Sequence, residues 1–338
     1  GWSLARFRYH PGVQALRQLP ALAGPRHAWQ AIVLIHHLRN QEAAIRHAHD
    51  FPALVLLWLA RLGQRNPGPL VYDTHELYFH RAAPPRRPWN RLQRWFGINL
   101  ERWLACRADL ILTTSPYFAQ FLARQWHIPL PTVILNGATA PVGHPALPRP
   151  VGARLWLVHT GHLIARGRRL PDLLGGLAVS PDDVHLSFIG SGPQEEDLRA
   201  LARALNLSGR VHFVPPVPPA MVSAAIREAD AAVIAFDSLS PGYALTLPNK
   251  LFEAIAAGLP VLGAETPALS DFFAEHPIGL LWRPGDPADL ARAIARLREP
   301  AARQQWQRAA RQAQLRVGWP TQAPQLVASY RQIAPTSR

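Results

Sequence analysis

Apolar residues along this chain come in short runs, and most runs are followed by a stretch in which apolar positions recur every three or four residues. The first pattern belongs to strands buried on both faces, the second to amphipathic helices. Strands are expected over 45–49, 69–73, 109–113 and 132–135, with helices over 51–62, 90–107 and 116–125 between them. A second series of strands, over 155–159, 184–190, 211–214, 231–236 and 260–263, is followed by helices over 288–298 and 301–314. A last helix over 322–333 is expected after the break Gly318-Trp319-Pro320. The first 40 residues hold two helix-like stretches, 12–19 and 27–40, and no clear strand. Alternation of this kind builds parallel sheets covered by helices, an α/β fold. The Pro- and Gly-rich stretch 140–152 reads as a linker between two such domains.

The stretch from Tyr243 to Gly263 organises the second series. It reads as a loop feeding a helix: Pro248 stands where a missing N–H costs nothing, Leu251, Phe252 and Ile255 supply an apolar face, and Gly258 with Pro260 stop it. In open α/β sheets the first turn of such a helix points into the crevice at the strand ends, where free N–H groups and the helix dipole favour an anion. Lys250 and Glu253 stand there one turn apart, facing the crevice and not the core. A diphosphate suits the ammonium and the amides, and a vicinal diol such as a ribose suits a carboxylate. A solvated Lys and a Glu chosen for the dipole would give the same two letters.

Length and composition narrow the choices. A chain of 338 residues with 48 % hydrophobic content is ample for two cores. One cysteine, Cys106, excludes an internal disulfide and a cysteine-built zinc site, and is expected to be a buried apolar filler. No apolar run reaches the roughly 18 residues of a spanning helix. Of the net charge of +14, residues 1–150 carry 17 Arg against 6 acids and the remainder 19 basic against 16 acidic residues, which argues for an anionic partner on the first domain. Among the 36 basic residues the sole Lys is Lys250, a compact ammonium for which guanidinium is no equivalent.

The run Leu-Pro-Asn-Lys-Leu-Phe-Glu-Ala-Ile-Ala-Ala-Gly-Leu-Pro-Val over 247–261 resembles the donor-site signature of family 4 glycosyltransferases, retaining enzymes of the GT-B fold. Residues 211–219 and 229–234 resemble the nucleobase loop and following strand of a polysaccharide-building branch of that family. The resemblance implies two Rossmann-like domains over 1–145 and 146–318, and a helix over 319–338 that crosses back to the first. It also implies that the opening strand and glycine-rich turn of the first domain are not in this sequence, so that domain is expected to be partial. Lys250, Glu253, Arg168 and His75 are implied as catalytic, with Arg166 the alternative to Arg168. Gly161, His162, Gly190, Gly192, Val214, Pro215, Asn249 and Leu251 are implied at the donor, and His49 and Asp50 on the acceptor side.

Two positions depart from the family pattern. Leu245 stands where many members carry a second Glu, and His162 where they carry an Arg, which also fits a non-catalytic homologue. The implied substrate is a UDP- or GDP-linked sugar with no cofactor, and the implied acceptor a lipid-linked or oligosaccharide glycan of the cell surface. The fifteen His show no metal-ligand spacing of the helical two-turn or Cys-paired kind, so no metal is expected. Nucleic acid is not an expected partner, since no aromatic-basic recognition motif accompanies the charge.

Residues 86–103 place Trp89, Leu92, Trp95, Phe96 and Leu100 at helical spacing between Arg86, Arg87, Arg91 and Arg94. Such a helix either lies on an anionic leaflet, making the protein peripheral on the cytoplasmic membrane face, or packs its Trp face on the sheet.

Overall fold

The computed structural model describes residues 25–41, 43–80, 88–139, 146–165, 167–236 and 241–334. The helix-like stretch at 12–19, Arg86, Arg87 and Arg166 lie outside these residues. The chain divides into two compact units, one running to Ile134 and taking in the chain from Ala323, the other Leu135–Gln322.

The first unit carries a parallel sheet of β1 (Arg46–His49), β2 (Leu70–Thr74), β3 (Leu110–Thr113) and β4 (Thr132–Val133), in that order. Helices Asp50–Arg61, Pro88–Ala105 and Pro116–Trp126 make the crossovers. Val71 and Leu112 pack against Tyr330, Leu326 and Ile333 of the last helix, Trp319–Ile333. That helix begins three residues earlier than its sequence indicates, because Pro320 falls in the first turn, where no N–H is needed. Cys106, expected to be buried, is exposed just past the end of helix Pro88–Ala105.

The second unit holds β5 (Leu155–Thr160), β6 (Val184–Ile189), β7 (Val211–Val214), β8 (Ala231–Ile234), β9 (Val261–Ala264) and β10 (Gly279–Trp282), all parallel in the order β10-β9-β8-β5-β6-β7. β5 and β6 are buried along their whole length, including the polar residues His159, Thr160, His185 and Ser187. Strand order reverses at β5, the first strand of the series, with β6 on one side and β8 on the other. Such a switch point leaves a crevice at the carboxyl ends of the strands. Two helices of this unit start on a polar cap followed by Pro: Thr266 Oγ accepts from Leu269 N–H, and Asp286 from Asp289 N–H. β10 and the helix Pro267–Glu275 have no counterpart in the sequence pattern, since Gly-Leu-Leu-Trp is too short to separate from a loop.

Asp230 anchors the start of this sheet. Its Oδ2 accepts the Trp156 N–H at 2.7 Å and Arg149 Nη1 at 2.7 Å. Removing the carboxylate orphans a buried donor. Asp230→Ala is expected to lower stability by about 1–3 kcal/mol, with the Arg149 share reduced because that side chain is partly solvated. Urea unfolding measures this, and Asp230→Asn, which keeps an acceptor, should lose less.

Candidate functional site

The crevice at the switch point is built by two glycine turns. Gly161 follows β5 with φ +106° and Gly190 follows β6 with φ +149°, both in the region that favours glycine. A Cβ on Gly190 would lie 2.1 Å from the Gly161 carbonyl oxygen, so the two backbones touch directly. Beside them opens a cavity of about 240 Å³ lined by Thr160, Gly161, His162, Gly190, Ser191, Pro216, Val217 and Glu253, among others.

Lys250 enters this region from below rather than from solvent. It is the second residue of helix Asn249–Ala256 and only 9 % exposed, so the expectation that it faces the crevice and not the core is corrected. Its Nζ donates to His159 Nε2 at 3.1 Å. His159 Nδ1–H donates to the Val233 carbonyl at 2.8 Å, which fixes the tautomer and leaves Nε2 as an acceptor. A Cβ on Gly161 would lie 3.8 Å from the ammonium, so Lys250 reaches the turn that lines the cavity.

Arg168 shares this environment. Its guanidinium lies 5.1 Å from the centroid of Phe236, and Lys250 Nζ 5.8 Å from the same ring. Arg168 Nε and Nη1 are buried and have no hydrogen-bond partner among the described residues. Burial first, then the Arg168 charge, holds the Lys250 ammonium well below the ordinary lysine range, against the pull of Glu253. Burial raises the Glu253 carboxyl, opposed by the Thr160 hydroxyl and by Lys250. Thr160 Oγ1 donates to Glu253 Oε2 at 3.1 Å. His159 is held well below the usual imidazole range by burial and then by Lys250. Two crowded cations with one nearby carboxylate make a site that an anion would relieve.

Of the expected donor residues, the fold brings together Lys250, Glu253, Gly161, His162, Gly190 and Arg168. Gly192 lies against the Leu163 backbone, where a Cβ would meet the carbonyl oxygen at 2.3 Å, and does not line the cavity. Val214 and Pro215 also stand outside the lining, which takes Pro216 and Val217 from the same loop. Asn249 is exposed and its Oδ1 accepts from Asn136 at 3.0 Å, while Leu251 is fully buried core. Sequence reasoning missed His159, Thr160 and Phe236. The signal for the first two was a polar pair closing an apolar strand just before a glycine.

The first unit has its own polar cluster at the carboxyl ends of β1 and β2. His49 is paired in register with Asp73, so His47, His49, Asp73 and His75 fall on one face of the sheet by two-residue alternation. Asp73 Oδ2 lies 3.3 Å from His47 Nε2, 3.2 Å from His49 Nδ1 and 3.4 Å from His75 Nε2. Burial alone would raise the Asp73 carboxyl, but the three imidazoles hold it well below the carboxylate range. Asp50 begins the next helix at φ +62°. His49, expected on the acceptor side, and His75, expected to be catalytic, thus lie close together, and His47 and Asp73 join them unannounced; Asp50 acts instead on Tyr72, one position along β2 from Asp73.

Residues 4–139 match the family described as Glycosyltransferase Family 4, and residues 168–299 the one described as Glycosyl transferases group 1. Phosphatidyl-myo-inositol mannosyltransferase of Mycobacterium leprae is 33 % identical over 169 residues, 49 % of this chain and 42 % of that protein. The chain spans less than half the length of the first curated relatives it matches, 23 %, 42 % and 30 %. Sucrose-phosphate synthase from Thermosynechococcus elongatus superposes with TM-score 0.72 at 22 % identity, covering 93 % of this chain and 80 % of that one. Anabaena HepE, solved in complex with UDP, superposes with TM-score 0.69 at 20 % identity, covering 93 % and 84 %. These likenesses give the fold, two parallel-sheet α/β domains of the GT-B kind.

A diphosphate seated against Lys250 should raise its lowered pKa, so binding takes up a proton. In the window between the lowered pKa of the free protein and the higher one of the complex, affinity is expected to rise as pH falls. Calorimetry of pyrophosphate or UDP in buffers of different ionisation enthalpy measures the uptake, and Lys250→Met should abolish it. The free protein should behave oppositely. Its unfolded chain keeps a Lys250 proton that the folded chain releases, so the Lys250 contribution to stability grows as pH rises from the lowered pKa toward 10.5.

Proposed function

We propose that this chain, matched along both halves by glycosyltransferase families, is a retaining GT-B glycosyltransferase that takes sugar from a UDP- or GDP-linked donor bound in its second unit. The observation that carries the reading is the buried Lys250 beside the Gly161 turn, with the half-buried Arg168 sharing the Phe236 ring with it and Glu253 at the cavity wall. As the anomeric bond breaks, negative charge grows on the departing diphosphate. Arg168, and Lys250 once it has taken up its proton with the diphosphate, are cations held in a poorly solvated site and stabilise that charge more than they stabilise the ground state. Glu253 takes the ribose hydroxyls, for which a carboxylate offers two acceptor oxygens. His75, His49 and Asp50 are assigned to the transferred sugar and its acceptor. The acceptor proposed is a lipid-linked glycan of cell-surface polysaccharide synthesis. UDP in the Anabaena HepE structure and the phosphatidylinositol acceptor in the name of the Mycobacterium leprae relative support this direction.

The test is transfer or hydrolysis of UDP- and GDP-sugars by the chain and its variants. Lys250→Met and Glu253→Ala should each lower kcat/KM at least about a hundredfold, the scale of one lost transition-state contact of ~3 kcal/mol. Unfolding curves close to wild type would show that the loss is not one of folding. Unchanged turnover in either variant would remove the assignment.

A peripheral place on the cytoplasmic membrane face is part of the same reading. No described helix is long and apolar enough to cross a membrane. Helix Pro88–Ala105 leaves Trp89 65 %, Trp95 62 % and Phe96 61 % exposed, with Arg91 exposed between them. Aromatic rings beside arginines suit the headgroup boundary of an anionic leaflet, where each basic residue contributes about 1 kcal/mol. In vesicle sedimentation, the chain should bind anionic far more than neutral lipid, and changing Arg86, Arg87, Arg91 and Arg94 to Gln should release it. Equal binding to both lipids, or binding untouched by the changes, would return this helix to an ordinary structural role.

A further inference from the structure

We propose that His47, His49 and Asp73 bind a first-row divalent cation of the zinc class at the carboxyl ends of β1 and β2, with His75 as a further donor. The proposal runs against the expectation from histidine spacing. That expectation considered ligand sets on helices and in Cys-paired loops. Here the donors come from two adjacent strands, as His-x-His and Asp-x-His.

Ligand atoms of His47, His49 and Asp73 all lie within 4.8 Å of one another. Metal–ligand bonds of about 2.0–2.1 Å in a tetrahedral site put neighbouring donors about 3.3 Å apart. The two imidazole nitrogens stand 3.3 and 3.2 Å from Asp73 Oδ2, so little movement is needed to close on an ion. His75 Nε2, at 3.4 Å from the same oxygen and 3.1 Å from His49 Nδ1, is within reach of a fourth position.

The donor atoms can all turn their lone pairs to a cation at the focus. His49 Nδ1 and His75 Nε2 crowd each other while both approach one carboxylate oxygen. Without an ion, one of these two nitrogens must donate and the other accept, which restricts the pair to particular tautomers. A metal ion accepts lone pairs from every member at once. The outer contact fits as well: Tyr330 bonds His47 Nδ1, leaving Nε2 turned to Asp73, the arrangement that orients metal-bound imidazoles. Two imidazoles and a carboxylate select zinc-like ions over magnesium.

The test reads binding, not sugar transfer, so its failure is separable from failure of the proposed activity. The chelator-stripped chain is titrated with Co²⁺ and Zn²⁺. One equivalent of Co²⁺ should produce the visible d–d bands of a low-coordinate site, and Zn²⁺ should displace them while Mg²⁺ does not. His47→Ala or Asp73→Asn should weaken Zn²⁺ binding at least about 100-fold, and Tyr330→Phe about 10–100-fold. His185→Ala, from the stacked His185–His212 pair elsewhere, should leave it unchanged. If the more buried His47 and Asp73 do not tolerate change, His49→Gln, with a side chain 30 % exposed, decides the matter. Absence of saturable binding, or binding that survives loss of these donors, would overturn the proposal.

Discussion

The second unit is arranged around the burial of one ammonium group. Lys250 is 9 % exposed and its direct hydrogen-bond partner is a neutral imidazole, not a carboxylate. A cation held this way is costly unless something anionic arrives, because burial and the Arg168 charge both disfavour its protonated form. Much of the local construction follows from it. The carbonyl of Val233 on β8 fixes the His159 tautomer, His159 on β5 receives the ammonium, and Gly161 leaves room beside it. The strand-order reversal between β5 and β8 brings these groups to one point.

The first unit solves the opposite problem. There a carboxylate, Asp73, is surrounded by three imidazoles on neighbouring positions of two parallel strands. Register does the assembling: because His49 pairs with Asp73, each two-residue step along either strand adds another side chain to the same face. The same alternation puts Ala48 and Tyr72, both fully buried, on the opposite face. Tyr330 draws the last helix into this arrangement, so the helix both covers the apolar sheet through Leu326 and Ile333 and touches the polar cluster.

Much of the fold was legible in the sequence. β1 to β9 fall within two residues of the expected spans, most of them because a strand buried on both faces is written largely in apolar residues, although β1, Arg-His-Ala-His, is not. β10 was not legible, because four residues of ambiguous pattern carry too little periodicity to assign, and the nine-residue helices Leu170–Ala178 and Pro267–Glu275 were not expected either. Pro320 misled the reading of the last helix for a different reason: proline ends a helix from its interior but is neutral in its first turn.

By itself the sequence determined the α/β class, the place of the helix bearing Lys250 and Glu253, and the glycines at 161 and 190, because each rests on local periodicity or on a turn that needs glycine. What only the tertiary structure decided was the surroundings of those groups. That Lys250 is buried on His159, that Arg168 and Lys250 share Phe236, and that His47 and His49 meet Asp73 and His75 all depend on which strands become neighbours. Strand order and register are set by the packing of the whole sheet, and contacts between residues 14 to 91 positions apart leave no periodic trace in the chain.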